Sequence, residues 1–510
     1  MGENDVINAG EWVYKHAVRK PGVTAVVVDD RRLSYAELNA RVNRLAHSLV
    51  AMNISRRDRV AALMFNSNEY MELSLALAKI GAVLVPLNYR LAPPELAHIL
   101  NDSSARVLVY SHELSYLCEA FLDSVELERY ICVGGEPTHP VENYEALLAR
   151  ASDSEPRIVP TGADDDLVIL YTSGTTGKPK GTVLTHGNVL FASLNVIHHA
   201  GNSEGSVLIA VPMFHVAGLT AQALPTIYRG QTIVFQRYFD PEHALQLIER
   251  EKIRASLLVP AMLLFMSQVS DFHRYDLSSI DSVFIGGAPC PAPILRTYLD
   301  RNVSIRQGFG MTENCGTGIV LDPEDLERKF GSCGKPMFHC NARVWNEKCE
   351  DTHPNEVGEL MLQGPVVTKG YWNMPEQTKA SFTDGWFHTG DLAKTDEDGY
   401  FYIVERKKDM LITGGENVYP AEVEEVILAH PKVAEVGVIG IPDAKWGESV
   451  RAVVAPLSGQ ALTAEEIQDF CKGKLAKYKI PKSVIFIEEL PRNPAGKILK
   501  RVLREQYGKS

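Results

Sequence analysis

Hydrophobic and polar positions switch between two periods along the first four-fifths of this chain. In "LSYAELNARVNRLAHSLVAM" the apolar residues recur at helical spacing, and Ser34 with Glu37 forms a capping box at the start. "RVAALMF" then reads as a strand, "EYMELSLALAKIG" as a helix and "AVLVPL" as another strand. The exchange returns at "VLIAVP", "TIVFQ", "ASLLVP" and "SVFIGG", each with an apolar helical stretch nearby. Strands that are apolar throughout and alternate with helices predict layered α/β architecture with largely buried sheets.

Near residue 342 the texture changes. "ARVWN", "GELMLQG" and "GYFYIVER" read as shorter strands broken by Gly and Asp turns, a β-rich subdomain. After "ERKKD" the segments "PAEVEEVILAH", "VAEVGVIGI", "SVRAVVAP", "TAEEIQDFCKGKLAKY" and "SVIFIEEL" predict a small α+β domain. The expected division is a large N-terminal domain over 1–405 and a small C-terminal domain over 406–510.

At 510 residues the chain exceeds one ordinary core, and 45% hydrophobic with 23% charged residues reads as globular. A formal charge of -12 argues against a general nucleic-acid binder, but not against a small anion in a locally basic pocket. Residues 408–510 hold 15 Lys+Arg against 14 Asp+Glu, and the remainder 37 against 50. That asymmetry suits an anionic ligand held between two domains, or follows from uneven composition alone. No basic-then-apolar leader opens the sequence, and the apolar run 255–269 is too short to span a membrane and contains Pro260. The eight cysteines include no CxxC pair. Cys333, His339, Cys340, Cys349 and His353 share one stretch without metal-site spacing, so the expectation is free thiols in a reducing cytoplasm.

The candidate chemistry begins at "YTSGTTGKPKG", Tyr171 to Gly181. Thr172, Ser173, Thr175 and Thr176 offer hydroxyls, Gly174 and Gly177 expose backbone N–H groups, and Lys178 and Lys180 add positive charge. All three donor types suit phosphate. Pro179 stands where a nucleotide P-loop needs Ser or Thr, and it disfavours a helix at Lys178.

This loop resembles the phosphate-binding signature of the adenylate-forming superfamily of acyl-CoA synthetases, adenylation domains and luciferases. The resemblance covers essentially the whole chain: "PMFHVAG", "GGAP", "QGFGMTE", "WFHTGD", "ERKKDMLITGGENVYPAEVE" and "PRNPAGKILK" follow in order, the last two being closest to bacterial fatty-acyl-CoA ligases. It implies that ATP, Mg²⁺ and CoA take part. Phe309, after Gly308, would stack on adenine, Thr312 touch the α-phosphate, and Glu313 bind Mg²⁺. Asp391 would accept from both ribose hydroxyls, and Arg406 would also reach the ribose or phosphate. Lys408 would be the hinge and Lys497 the catalytic lysine. His215, which stands where amino-acid-activating relatives carry Asp, would gate the site or orient the substrate carboxylate. Gly287, Ala288 and Pro289 would line the acyl and nucleotide pocket, and Gly414 with Gly415 would let a pantetheine arm pass. The basic stretch "CKGKLAKYKIPK" would meet CoA phosphates or be a solvated helix face. The implied activity is an AMP-forming acyl-CoA synthetase for a medium- or long-chain fatty acid, with an aryl-CoA ligase for a benzoate-, cinnamate- or ferulate-like acid as the alternative. Its partners would be a small carboxylic acid, ATP and CoA, with no nucleic acid. Peripheral membrane contact and a homodimer are left open.

Overall fold

The computed structural model describes residues 7–135, 141–172, 179–200, 205–288, 290–413, 416–443, 446–492 and 498–509. Contacts divide the chain into two units, Met1–Ala342 with Leu362–Phe387, and Arg343–Met361 with His388–Ser510.

Two sheets carry the first unit. In the nine-stranded sheet, six parallel strands run in the order Ile305–Phe309, Ser282–Ile285, Ile253–Leu258, Ser206–Ile209, Thr232–Phe235 and Thr24–Val28. Antiparallel pairing is confined to its two margins. The eight-stranded sheet sets Val83–Pro86, Arg59–Leu63 and Val107–Ser111 side by side in parallel. It also takes in the antiparallel hairpin Asp166–Thr172 and Lys180–Thr185. Parallel neighbours need crossover connections, and the helices that make them cover the sheet faces. Val83–Pro86 is accordingly buried at all four positions. The layered α/β reading holds.

The expected capping box is present: the Glu37 N–H donates to Ser34 Oγ at 3.2 Å, and the Ser34 N–H to the Glu37 carboxylate at 2.8 Å. Helix Asn68–Ile80 is buried at every position except Glu69, so its polar residues Asn68, Glu72, Ser74 and Lys79 lie inside. Its interior charges are partnered. Arg41 meets Glu72 at 2.7 Å, Tyr144 donates to the same carboxylate at 2.6 Å, and Lys79 is bonded to Asn39, Asn43 and Glu155. An unpaired ion there would cost several kcal/mol.

The second unit carries the shorter strands. Gly358–Gln363, Trp386–Thr395 and Phe401–Arg406 share one sheet. Beyond it, the long hairpin Val433–Asp443 and Gly447–Pro456 gains Ser483–Phe486 in parallel. Helices Pro420–Leu428 and Ala464–Cys471 pack on that sheet around Val423, Ile427, Val438, Val454 and Ile467. This is the expected α+β arrangement, with one local departure. The helix in "TAEEIQDFCKGKLAKY" stops at Cys471, where Lys472 turns to extended backbone and Gly473 follows at φ +75°. The lysines that follow do not form one helical face: Lys479 pairs with Glu422 at 2.7 Å and Lys482 with Asp443 at 3.0 Å. Among the described residues no helix is long and apolar enough to cross a membrane.

Candidate active site

The phosphate-type loop joins two antiparallel strands, with Tyr171 facing Gly181 and Thr172 facing Lys180 in register. The chain resumes as a strand at Lys180 instead of a helix, in keeping with the bias that Pro179 places on the residue before it. Ser173, Gly174, Thr175, Thr176, Gly177 and Lys178 lie outside the described residues. Gly181 leaves no room for a side chain, since a Cβ there would stand 2.7 Å from Ile169 and 3.2 Å from Trp372. Lys180 is buried, and its Nζ sits 5.2 Å from the centre of the Tyr371 ring. The Tyr371 hydroxyl donates to Glu313 Oε1 at 3.0 Å. One aromatic ring thus links the end of the loop to the acidic residue of "GFGMTE".

Thr312 and Glu313 follow strand Ile305–Phe309, in a single tight turn that is almost wholly buried. Gly310 permits that turn: a Cβ there would fall 1.5 Å from the Gly316 carbonyl oxygen. Asn314 closes it by accepting from the Met311 N–H at 2.9 Å. The Glu313 carbonyl is held at 2.7 Å by the Thr368 N–H, and Thr368 in turn donates to the Val183 carbonyl of the hairpin. Gly286, at the end of the neighbouring strand, packs against the Gly308 carbonyl. Gly287 takes φ +82°, and with Ala288 it is exposed beside these strand ends. Pro289 lies outside the described residues. Strand C-termini in an open parallel sheet are where α/β proteins place ligands.

His215 caps the short helix Val216–Gly218, with Nδ1 accepting from the Ala217 N–H at 3.3 Å. The neutral ring therefore carries its proton on Nε2. The side chain is exposed, yet nearby protein partly desolvates the ring. The desolvation that results lowers its pKa below the ordinary imidazole value, so it is neutral at pH 7. The helical run continues through one π turn, Leu219–Ala223, to Leu224–Arg229. Thr220 donates to the Cys315 carbonyl at 3.1 Å, and Gly316 lies against Ala221, which docks this helix on the Thr312–Glu313 turn.

A recess of about 590 Å³, counting its open mouth, runs beside that helix between Ala221, Pro225, Val207, Leu257, Phe284 and Met337. Several polar groups in its wall already bond to protein. Gln222 accepts from the Leu257 N–H at 2.7 Å, Thr226 donates to the Gln222 carbonyl and Ser256 to the Leu208 carbonyl, both at 2.8 Å. Arg229, Gln231 and Thr317 also line it, and the remaining surface is mainly apolar.

In the second unit Asp391 and Arg406 face each other across a strand pair, and Arg406 Nε meets Asp391 Oδ1 at 2.7 Å. Asp391 is buried, and Lys408 is exposed in the turn after strand Phe401–Arg406. Gly414, Gly415 and Lys497 lie outside the described residues. Within the first unit, Thr172, Lys180, His215, Gly287, Gly308, Thr312 and Glu313 stand on elements in direct contact. Sequence reasoning missed Tyr371 and Thr368. Neither stands in a recognisable motif, and the nearest signal was the turn-like "TKGYWN" between two strands.

Family comparison agrees with this arrangement. The AMP-binding enzyme family matches residues 13–372, and the AMP-binding enzyme C-terminal domain matches residues 422–497. A feruloyl-CoA synthase of Amycolatopsis sp is 41% identical over 500 residues, covering 98% of this chain and 99% of that protein. A long-chain-fatty-acid–CoA ligase of Mycobacterium tuberculosis is 41% identical over 518 residues, covering 98% of each. The o-succinylbenzoate CoA synthetase of Bacillus subtilis has been solved with ATP and magnesium ion. It superposes with a TM-score of 0.87 at 33% identity, over 97% of this chain and 99% of that one. By fold, motif order and full-length similarity, the chain belongs to the AMP-binding enzyme family, the adenylate-forming acyl-CoA synthetase superfamily.

Proposed function

We propose that this protein is an ATP-dependent, AMP-forming acid–CoA ligase. The observation that carries the reading is the Lys180–Tyr371–Glu313 link. It places a buried cation over one ring and a hard-oxygen carboxylate at that ring's hydroxyl, at the end of a phosphate-type loop. Glu313 fits Mg²⁺, which takes only one or two protein carboxylates, and there it would neutralise phosphate charge. Tyr371 orients that carboxylate through Oε1.

In the first step the acid's carboxylate oxygen attacks the α-phosphorus of ATP. The bond to the bridging oxygen breaks, and pyrophosphate leaves with the electron pair. Thr172 to Lys180 grip the β- and γ-phosphates, Thr312 donates to the α-phosphate, and Phe309 stacks on adenine. Asp391, held in place by Arg406, accepts from the ribose hydroxyls. Lys497 stabilises charge on the phosphoryl oxygens. His215, with its proton on Nε2, donates to the substrate carboxylate. Rotation of the C-terminal domain, 406–510, about Lys408 then withdraws Lys497 and brings Gly414-Gly415 to the site. The CoA thiolate attacks the acyl carbonyl, and AMP leaves.

The recess beside helix Leu224–Arg229 is the acid's pocket, and its mainly apolar lining supports a fatty acid. The ring-acid reading is supported equally, because similarity to the feruloyl-CoA synthase is as high as to the fatty-acid ligase. AMP release from Mg·ATP, with and without CoA, over acetate, octanoate, palmitate, benzoate and ferulate tests both. We expect CoA-dependent AMP with at least one alkyl or aryl acid. A maximum on octanoate or palmitate selects the fatty acid, and a maximum on benzoate or ferulate the ring acid. No AMP with any acid would overturn the ligase reading for these substrates.

A further inference from the structure

The turn after Phe401–Arg406 is flanked by an ion network that none of the adenylation chemistry uses. Glu405 is 8% exposed and makes three bonds. Its Oε1 accepts from the Arg406 N–H at 2.8 Å, and its Oε2 accepts from the Ala421 N–H at 2.8 Å and from Lys500 Nζ at 3.0 Å. Lys500 Nζ also meets Glu424 Oε1 at 3.1 Å, and Glu424 accepts from the Val438 N–H at 2.7 Å. Burial opposes the charge on Lys500, but the two carboxylates outweigh it and raise its pKa above the ordinary value.

The positions of these groups along the chain give the network its meaning. Glu405 precedes Lys408 by three residues, whereas Ala421, Glu424, Val438 and Lys500 all follow it. A rotation at Lys408 must break the bonds from Glu405 to Ala421 and Lys500. The bonds of Glu424 to Lys500 and Val438 lie wholly beyond the hinge and survive. So does that of Arg504 to Asp409. Lys500 thus keeps one carboxylate when it loses the other, and no buried cation is stranded. Lys500 also stands three residues after Lys497, at the start of the final helix, Lys500–Tyr507.

We infer that Glu405, Lys500 and Glu424 form a latch across the hinge, which holds the C-terminal domain in one of its two working orientations. Glu405 and Lys500 are positioning residues, and the inference rests on the proposed rotation about Lys408. Closed, the latch favours one half-reaction. Opened, it frees the domain for the other.

The test is Glu405→Gln in the full-length protein, which keeps an acceptor for the Ala421 N–H but removes the charge opposite Lys500. Trypsin cleavage at Lys407 and Lys408, both exposed in the turn, reports latch opening without any substrate. Acid-dependent exchange of pyrophosphate into ATP reports adenylation, and CoA-dependent AMP release from supplied acyl-AMP reports thioester formation. Loss of one charge-assisted bond should speed cleavage about tenfold and move the ratio of the two half-reactions by a similar factor. Glu405→Asp, which keeps the charge at shorter reach, should fall between, and it serves if Glu405→Gln does not fold. Arg504→Gln removes a bond lying wholly beyond the hinge, so it should change thermal stability but not the ratio. Wild-type cleavage and ratio in both Glu405 variants, or equal loss of both half-reactions, would overturn the latch. A wild-type enzyme with neither half-reaction would overturn the ligase reading, while the cleavage assay still judges the latch.

Discussion

At the scale of single residues, Tyr371 does two things with one side chain. Its ring lies beneath the Lys180 ammonium and its hydroxyl holds one oxygen of Glu313. Tyr371→Phe separates the two, because the ring stays and only the bond to the carboxylate goes. Hydrogen bonds to charged groups contribute about 1.5–3 kcal/mol, so kcat/KM for Mg·ATP in pyrophosphate exchange should fall roughly ten- to a hundredfold. A change confined to stability would remove Tyr371 from the site. Sequence reasoning reached Glu313 because it stands inside a motif. It did not reach Tyr371, which lies 58 positions further on and joins Glu313 only when the short strand Gly370–Tyr371 pairs with Lys180–Thr185.

At the scale of elements, the site is a set of strand ends and the turns that leave them. The turn from Gly310 to Gly316 is the most constrained. Its two ends approach so closely that a methyl group on Gly310 would overlap the Gly316 carbonyl, and the obstacle is backbone, which cannot swing aside. Gly310→Ala should therefore cost about 1–3 kcal/mol, read as a lower urea midpoint. It should also reduce pyrophosphate exchange, because Thr312 and Glu313 ride on the turn. Elements of this kind were legible wherever local chemistry decided them. The Ser34–Glu37 box set a helix start, and unbroken apolar runs marked buried parallel strands. The basic stretch after Cys471 was less legible, because a helix-compatible pattern gives way there to one glycine in the left-handed region.

At the scale of the whole molecule, the proposal requires two states of the C-terminal domain, with Lys497 serving only one of them. Lys497→Ala should abolish acid-dependent pyrophosphate exchange and leave CoA-dependent release from supplied acyl-AMP largely intact. Equal loss of both would contradict that assignment. The same separation of half-reactions distinguishes the role proposed for Lys497 on the phosphate from that proposed for Glu405 on the balance of states.

Taken by itself, the sequence determined the layered α/β plan, the change of texture near residue 342 and the superfamily. These depend on local periodicity and on contiguous motifs, both of which survive in one dimension. The tertiary structure alone decided the Lys180–Tyr371–Glu313 link, the recess beside helix Leu224–Arg229 and the Glu405–Lys500–Glu424 network. Each joins residues tens of positions apart or more through strand pairing or helix docking, and no spacing along the chain encodes such contacts.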